Sequence, residues 1–126
     1  MPLGVSLVAI GEAFQEISND PVRYASADPN NLPSQKLASL IQEHKLVTCW
    51  AGHFGGVGGR AFLDLADRVR LVAPSVGIAD VLIVTCALAC PTTVRLFSTD
   101  GPLIRNVELR TLGRRRRPGW EILEAP

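Results

Sequence analysis

Aromatic residues make up only 6% of this 126-residue sequence, too few to interleave with basic side chains as nucleic-acid stacking platforms do. Trp50 and Trp120 therefore read as core or edge packing. No apolar run reaches the roughly 18 residues of a membrane span; the longest, residues 81–90, contains Thr85, so no membrane partner is expected. No basic segment precedes the apolar residues 7–10, and Glu12 follows at once, a pattern unlike a secretory signal. The cysteines number three, an odd count with nothing to suggest export, which predicts reduced thiols in a cytoplasmic protein. Cys86 and Cys90, four apart in an apolar stretch, read as buried, hydrophobe-like side chains. A composition 47% hydrophobic and 20% charged excludes disorder and low complexity. The length predicts one domain over residues 1–126.

The formal charge is only +1, but it is unevenly spread. Residues 1–100 carry seven Lys/Arg against nine Asp/Glu, whereas residues 101–126 carry six Arg against three Glu. Arg114, Arg115, Arg116 and Arg117 are consecutive. A block of like charge commonly marks a solvated surface or tail; its functional counterpart is contact with a phosphate backbone.

Along the chain, residues 4–9 suit a short strand, or Ser6 caps a helix to about Ile17 with Leu7, Ile10, Phe14 and Ile17 on one face. Residues 19–33 are rich in turn formers and predict a surface loop. Ser34 then caps a helix through about Lys45, with Leu37, Leu40 and Ile41 facing inward. The glycine-dense residues 52–59 lack the Lys-Ser/Thr of a phosphate loop and the spacing of a dinucleotide site, so they read as a connector, and His53 within them as a surface histidine. A helix over residues 60–68 and a strand over 69–73 follow, ended by Pro74. Residues 78–90 form an apolar helix, 94–97 a buried strand, and a short helix begins near Pro102. Residues 119–123 suit an edge strand. Helices alternating with short β-rich runs predict an α/β fold, a three-layer-like sandwich with a mostly parallel sheet.

Most acids, among them Asp64, Asp67, Glu43, Glu121 and Glu124, suit solvated faces. Glu12, within an apolar segment, Asp80, opening the most hydrophobic helix, and Asp100, directly after a strand, do not. In a parallel sheet the carboxyl ends of strands and the N-termini of the following helices share one edge, which would point Asp80 and Asp100 into one cleft. Clustered carboxylates beside a core suit a hard divalent ion such as Mg²⁺ or Mn²⁺. Taken singly, Asp80 also fits a favourable helix start and Asp100 a turn with Gly101.

The stretch Gly77-Ile78-Ala79-Asp80-Val81-Leu82-Ile83-Val84-Thr85-Cys86-Ala87-Leu88, followed by Leu96-Phe97-Ser98-Thr99-Asp100 and Leu103-Ile104, resembles the C-terminal half of a PIN domain. Val5-Ser6-Leu7-Val8-Ala9-Ile10-Gly11-Glu12 resembles that family's strand-to-helix segment ending in an acid. The likeness is tight over residues 77–104 and follows element order elsewhere. It implies a Mg²⁺- or Mn²⁺-dependent ribonuclease that cleaves single-stranded RNA through metal-activated water, with an antitoxin-like protein as a partner. It makes Glu12, Asp80 and Asp100 metal ligands, directly or through water, and Ser98 the hydroxyl that steadies the site. Beside that implication, Arg105, Arg110, Arg114, Arg115, Arg116 and Arg117 are read from their charge as RNA-backbone contacts.

The sequence departs from the family pattern in one respect: no hydrophobic strand ending in Asp-Thr or Asp-Ser precedes Glu12. Three readings stay open. The chain is an N-terminally truncated reading of a longer one, it is a catalytically degenerate module that binds protein or RNA, or Glu12 and Glu43 replace the first acids. A sheet without its central strand exposes edges, which predicts self-association as a homodimer or higher oligomer. An unrelated small α/β domain with structural acids is the remaining alternative.

Overall fold

The computed structural model describes residues 4–26, 28–49, 58–91 and 93–126. These fall into two compact units, Met1–Thr48 and Cys49–Pro126. The fold is mixed α/β and mainly helical.

In the first unit, strand β1 (Gly4–Ser6) leads directly into helix α1 (Leu7–Ser18). Ser6 ends the strand and caps the helix: its backbone is extended and its Oγ accepts a 3.1 Å hydrogen bond from the Val8 amide, satisfying one of the otherwise orphaned first-turn donors. The turn-rich residues 19–33 expected as loop contain a helix, α2 (Pro21–Ala25). Pro21 opens it, where a fixed φ and a missing N–H cost nothing. Helix α3 (Gln35–Glu43) follows Ser34, whose side chain makes no capping bond. Strand β2 (Val47–Cys49) pairs with β1 in a two-stranded sheet. Neither α1 nor α3 buries a residue. Their apolar sides, Leu7, Ile10, Phe14, Leu37 and Ile41, line an open groove.

The second unit holds the core. It comprises α4 (Gly58–Val72), α5 (Ile78–Ala89), β3 (Arg95–Ser98), α6 (Gly101–Ile104), α7 (Val107–Arg116) and β4 (Glu121–Glu124). Leu65, Val69 and Ala73 repeat every four residues and pack with Val81, Val84 and Leu88 of α5, with Leu103, Leu109, Trp120 and Ile122 completing the cluster. That spacing places them on one helical stripe. The strand expected at 69–73 is therefore the last turn of α4: Val69, 1% exposed, gains more from continuing the buried stripe than from its β propensity.

Strands β3 and β4 pair in parallel, Arg95 opposite Glu121 and Ser98 opposite Glu124. The pair is joined through α6 and α7, as a parallel connection requires a crossover. The strand expected to be buried is open on one side, with Phe97 46% exposed and Arg95 exposed. Helix α7 was not among the expected elements. Asn106 starts it, its side-chain oxygen accepting from the Leu109 amide at 2.9 Å while its NH₂ donates to Val72 O at 3.1 Å. Glu108 lies in the first turn and Arg114, Arg115 and Arg116 in the last, the arrangement that complements the helix dipole. The arginine run is thus a helix end and its exit, not a tail. Trp120 is fully buried, as expected of a packing residue, and Cys86 and Cys90 are buried. Trp50, His53 and most of the glycine-rich segment lie outside the described residues.

Candidate functional site

Asp80 and Asp100 both lie in the second unit, Asp80 at a helix start and Asp100 directly after a strand. Asp80 is in the first turn of α5, half-buried, directly before the fully buried Val81. The helix begins at Gly77, which offers no capping side chain, so Asp80 is the acid that meets the positive end of the helix. Val81 reaches back to Gly77 O at 3.0 Å, closing that turn.

Asp100 joins β3 to α6 with an extended backbone. Its carboxylate makes no capping hydrogen bond to the helix it precedes. The loop is held instead through its main chain. The Asp100 amide donates to Ser98 Oγ at 3.0 Å, and the Asp100 carbonyl accepts from Ile104 N at 3.0 Å. Ser98 is itself fixed by the residue that follows β4, since its carbonyl accepts from Ala125 N at 2.8 Å. A serine oxygen that accepts one backbone bond retains its own proton to donate elsewhere. Ser98 and Asp100 are thus brought together, the hydroxyl holding the backbone that presents the carboxylate.

Glu12 lies in α1, exposed, in the first unit; Glu43, also exposed, ends α3. Among the described residues no group of three or more His, Cys, Asp or Glu side chains is placed to share an ion. Asp80 and Asp100 are both half-buried carboxylates, and are the residues that would hold such an ion, since Mg²⁺ is commonly held by one or two carboxylates with water and substrate oxygens completing its shell.

The six arginines sort by what their guanidiniums touch. Arg117 donates from Nε to Thr93 O at 2.7 Å and from Nη2 to both Ala87 O and Leu88 O at 2.9 Å. Arg116 Nε adds a 3.2 Å bond to Leu88 O. Together they satisfy carbonyls that the end of α5 leaves without helical partners. Burial lowers the Arg117 pKa below its ordinary value, and the neighbouring Arg116 charge lowers it further. Arg110 donates to Ile104 O through Nη2. Arg114 and Arg115 are exposed on α7, and Arg105 is exposed just after α6. Half of the residues read as RNA contacts therefore also serve the fold.

Sequence reasoning missed two glycines that matter here. Gly101 leaves room for the Arg105 guanidinium, and Gly113 leaves room for the Trp120 ring. A glycine inside an arginine-rich helix, seven residues before a tryptophan, is the only sequence signal for the second.

No family model, curated protein or solved structure matches this chain.

Proposed function

We propose that the chain is a PIN-like, Mg²⁺- or Mn²⁺-dependent ribonuclease acting on single-stranded RNA, with Asp80 and Asp100 as its central acids. The observation that carries this reading is the β3–α6 junction: Ser98 fixes the Asp100 amide while the Asp100 carboxylate makes no capping bond. Pro102, which has no N–H, removes one of the first-turn amides that a capping carboxylate would take. Asp80, half-buried in the first turn of the apolar α5, adds a second oxygen donor from the same unit. When bound, a divalent ion supplies a water acidic enough to attack near neutral pH and offsets charge building on the phosphate. Asp80 and Asp100 would hold and orient it, and Ser98 would keep Asp100 in place.

A three-layer sandwich around a mostly parallel sheet, a cytoplasmic setting, and a partner that is either an antitoxin-like protein or a second copy belong to the same proposal. The open apolar groove of α1 and α3 suits a protein partner. The test is cleavage of a labelled single-stranded RNA with Mn²⁺ present. Asp100→Asn should reduce the rate by about 100-fold or more, the scale of losing a group on which the developing charge depends. Equal rates in the two proteins would overturn the reading.

A second reading, a degenerate module that binds RNA or protein without cleaving, is favoured by the lack of a three-acid group among the described residues. It predicts RNA binding with no metal-dependent turnover.

A further inference from the structure

Arg105 follows α6, and its side chain folds back over Gly101, the residue next to Asp100. A Cβ built on Gly101 would lie 2.7 Å from Arg105 Nη1 and 3.0 Å from Nη2, closer than side-chain carbons approach other atoms. The guanidinium can rest there only because position 101 has no side chain. The same turn is closed by the Arg105 amide donating to Gly101 O at 3.0 Å. Arg110, Arg116 and Arg117 spend their guanidiniums on backbone carbonyls, whereas among the described residues the Arg105 guanidinium donates to none. Arg105 is exposed, so its donors are open to a ligand from solvent.

We propose that Arg105 is the phosphate-gripping residue of this site, its guanidinium seated over Gly101 to meet a phosphodiester of single-stranded RNA beside Asp100. This rests on the reading of Asp100 as a site acid. A planar guanidinium presents paired N–H donors that match phosphate oxygens, which a lysine ammonium does not reproduce. A phosphate held next to the acid is the group the ribonuclease reading needs there. Gly101 then has a role separate from folding: a methyl group at that position pushes aside only the flexible end of Arg105.

The test is fluorescence anisotropy of a labelled single-stranded RNA oligonucleotide with wild type, Arg105→Ala, Arg105→Lys and Gly101→Ala, all in EDTA, with a melting temperature for each. Arg105→Ala should bind about tenfold more weakly, with the slope of log K against log salt shallower by about 0.7, the value of one phosphate contact on a single strand. Arg105→Lys should keep the slope and lose part of the affinity. Gly101→Ala should weaken binding about threefold at an unchanged melting temperature, because it moves the guanidinium without removing it. Wild-type affinity and slope in Arg105→Ala, wild-type affinity in Gly101→Ala, or no binding by the wild type at low salt would each overturn the proposal. The two readings fail separately. RNA binding lost in Arg105→Ala without any Mn²⁺-dependent cleavage by the wild type sinks the ribonuclease. Asp100-dependent cleavage that Arg105→Ala leaves intact sinks the role of Arg105.

Discussion

Trp120 packs flat against α7 at the one place where that helix has no side chain, Gly113. A Cβ at Gly113 would fall 2.7 Å from Trp120 Cζ3 and closer still to Cε3 and Cδ2. Trp120 is fully buried, and its ring belongs to the core that α4, α5 and β4 share. A substitution at 113 is thus a change in the core rather than on a helix surface. Two effects oppose each other in Gly113→Ala. Alanine gains about 1 kcal/mol in helix propensity over glycine, but overpacking a filled core costs about 1–3 kcal/mol and more when the obstacle is a rigid ring. The ring cannot swing away as a flexible side chain would, so the steric term wins. Gly113→Ala should lower unfolding free energy by about 2 kcal/mol in urea denaturation; a rise in stability would show that the indole does not sit on α7.

Arg117 joins three carbonyls, those of Ala87, Leu88 and Thr93, that lie 24 to 30 residues earlier in the chain. It closes the end of α5 onto the exit of α7 by hydrogen bonding, and its charge is poorly solvated there. Arg117→Lys keeps the charge but cannot donate in three directions from a planar group. It should cost about 2 kcal/mol, the scale of leaving carbonyls without donors. Arg114→Lys, on an exposed side chain, should change stability by less than about 0.5 kcal/mol. Thermal denaturation of the two variants side by side checks this, and equal melting temperatures would contradict it.

Parts of this architecture are legible in the sequence where local signals agree with tertiary ones. Ser6 before Leu7, Ile10 and Phe14 marks α1, and Gly77 and Pro91 bracket the apolar α5, because cap and breaker residues act within a few positions. Two signals mislead. Val69 and Val72 suggest a strand, yet the stripe from Leu65 to Ala73 is what the core reads. Pro21 suggests a turn, yet it opens a helix. Helix α7 is hidden because its charged residues outnumber its buried ones, Leu109 and Gly113. Of the candidate site, the element positions of Asp80 and Asp100 are legible, since an acid at a helix start and one after a strand are local patterns. The hydrogen bond between Ser98 and Asp100, the seat of Arg105 over Gly101 and the long-range partners of Arg117 depend on folded geometry, which no spacing rule carries.

Asn106 serves two helices at once, capping α7 through its oxygen and reaching the last residue of α4, Val72, through its nitrogen. Asn106→Ala removes both bonds and should cost about 2 kcal/mol, the cap accounting for about 1 kcal/mol of that. Asn106→Asp keeps the capping acceptor and loses the donor to Val72 O. It should fall between alanine and wild type in urea denaturation. An aspartate variant as unstable as the alanine one would mean that the α4 link, rather than the cap, carries the stability.

Ser98 separates structure from chemistry at the candidate site. Ser98→Ala removes the oxygen that holds the Asp100 amide but leaves the pairing of β3 with β4, which runs through the main chain. Its stability cost should be about 1 kcal/mol, that of one hydrogen bond. If Asp100 acts on RNA, the effect on cleavage should be larger: a carboxylate displaced by a fraction of an ångström loses rate steeply, and about a tenfold fall is expected. Ser98→Thr keeps the oxygen and should recover most of that loss. Asp100→Asn should slow cleavage by about 100-fold or more with little change in melting temperature, since the carboxylate caps nothing. Single-turnover cleavage rates measured beside melting temperatures distinguish the outcomes. A Ser98→Ala protein that melts early yet cleaves at the wild-type rate would reduce the hydroxyl to a turn-former and leave Asp100 without its support.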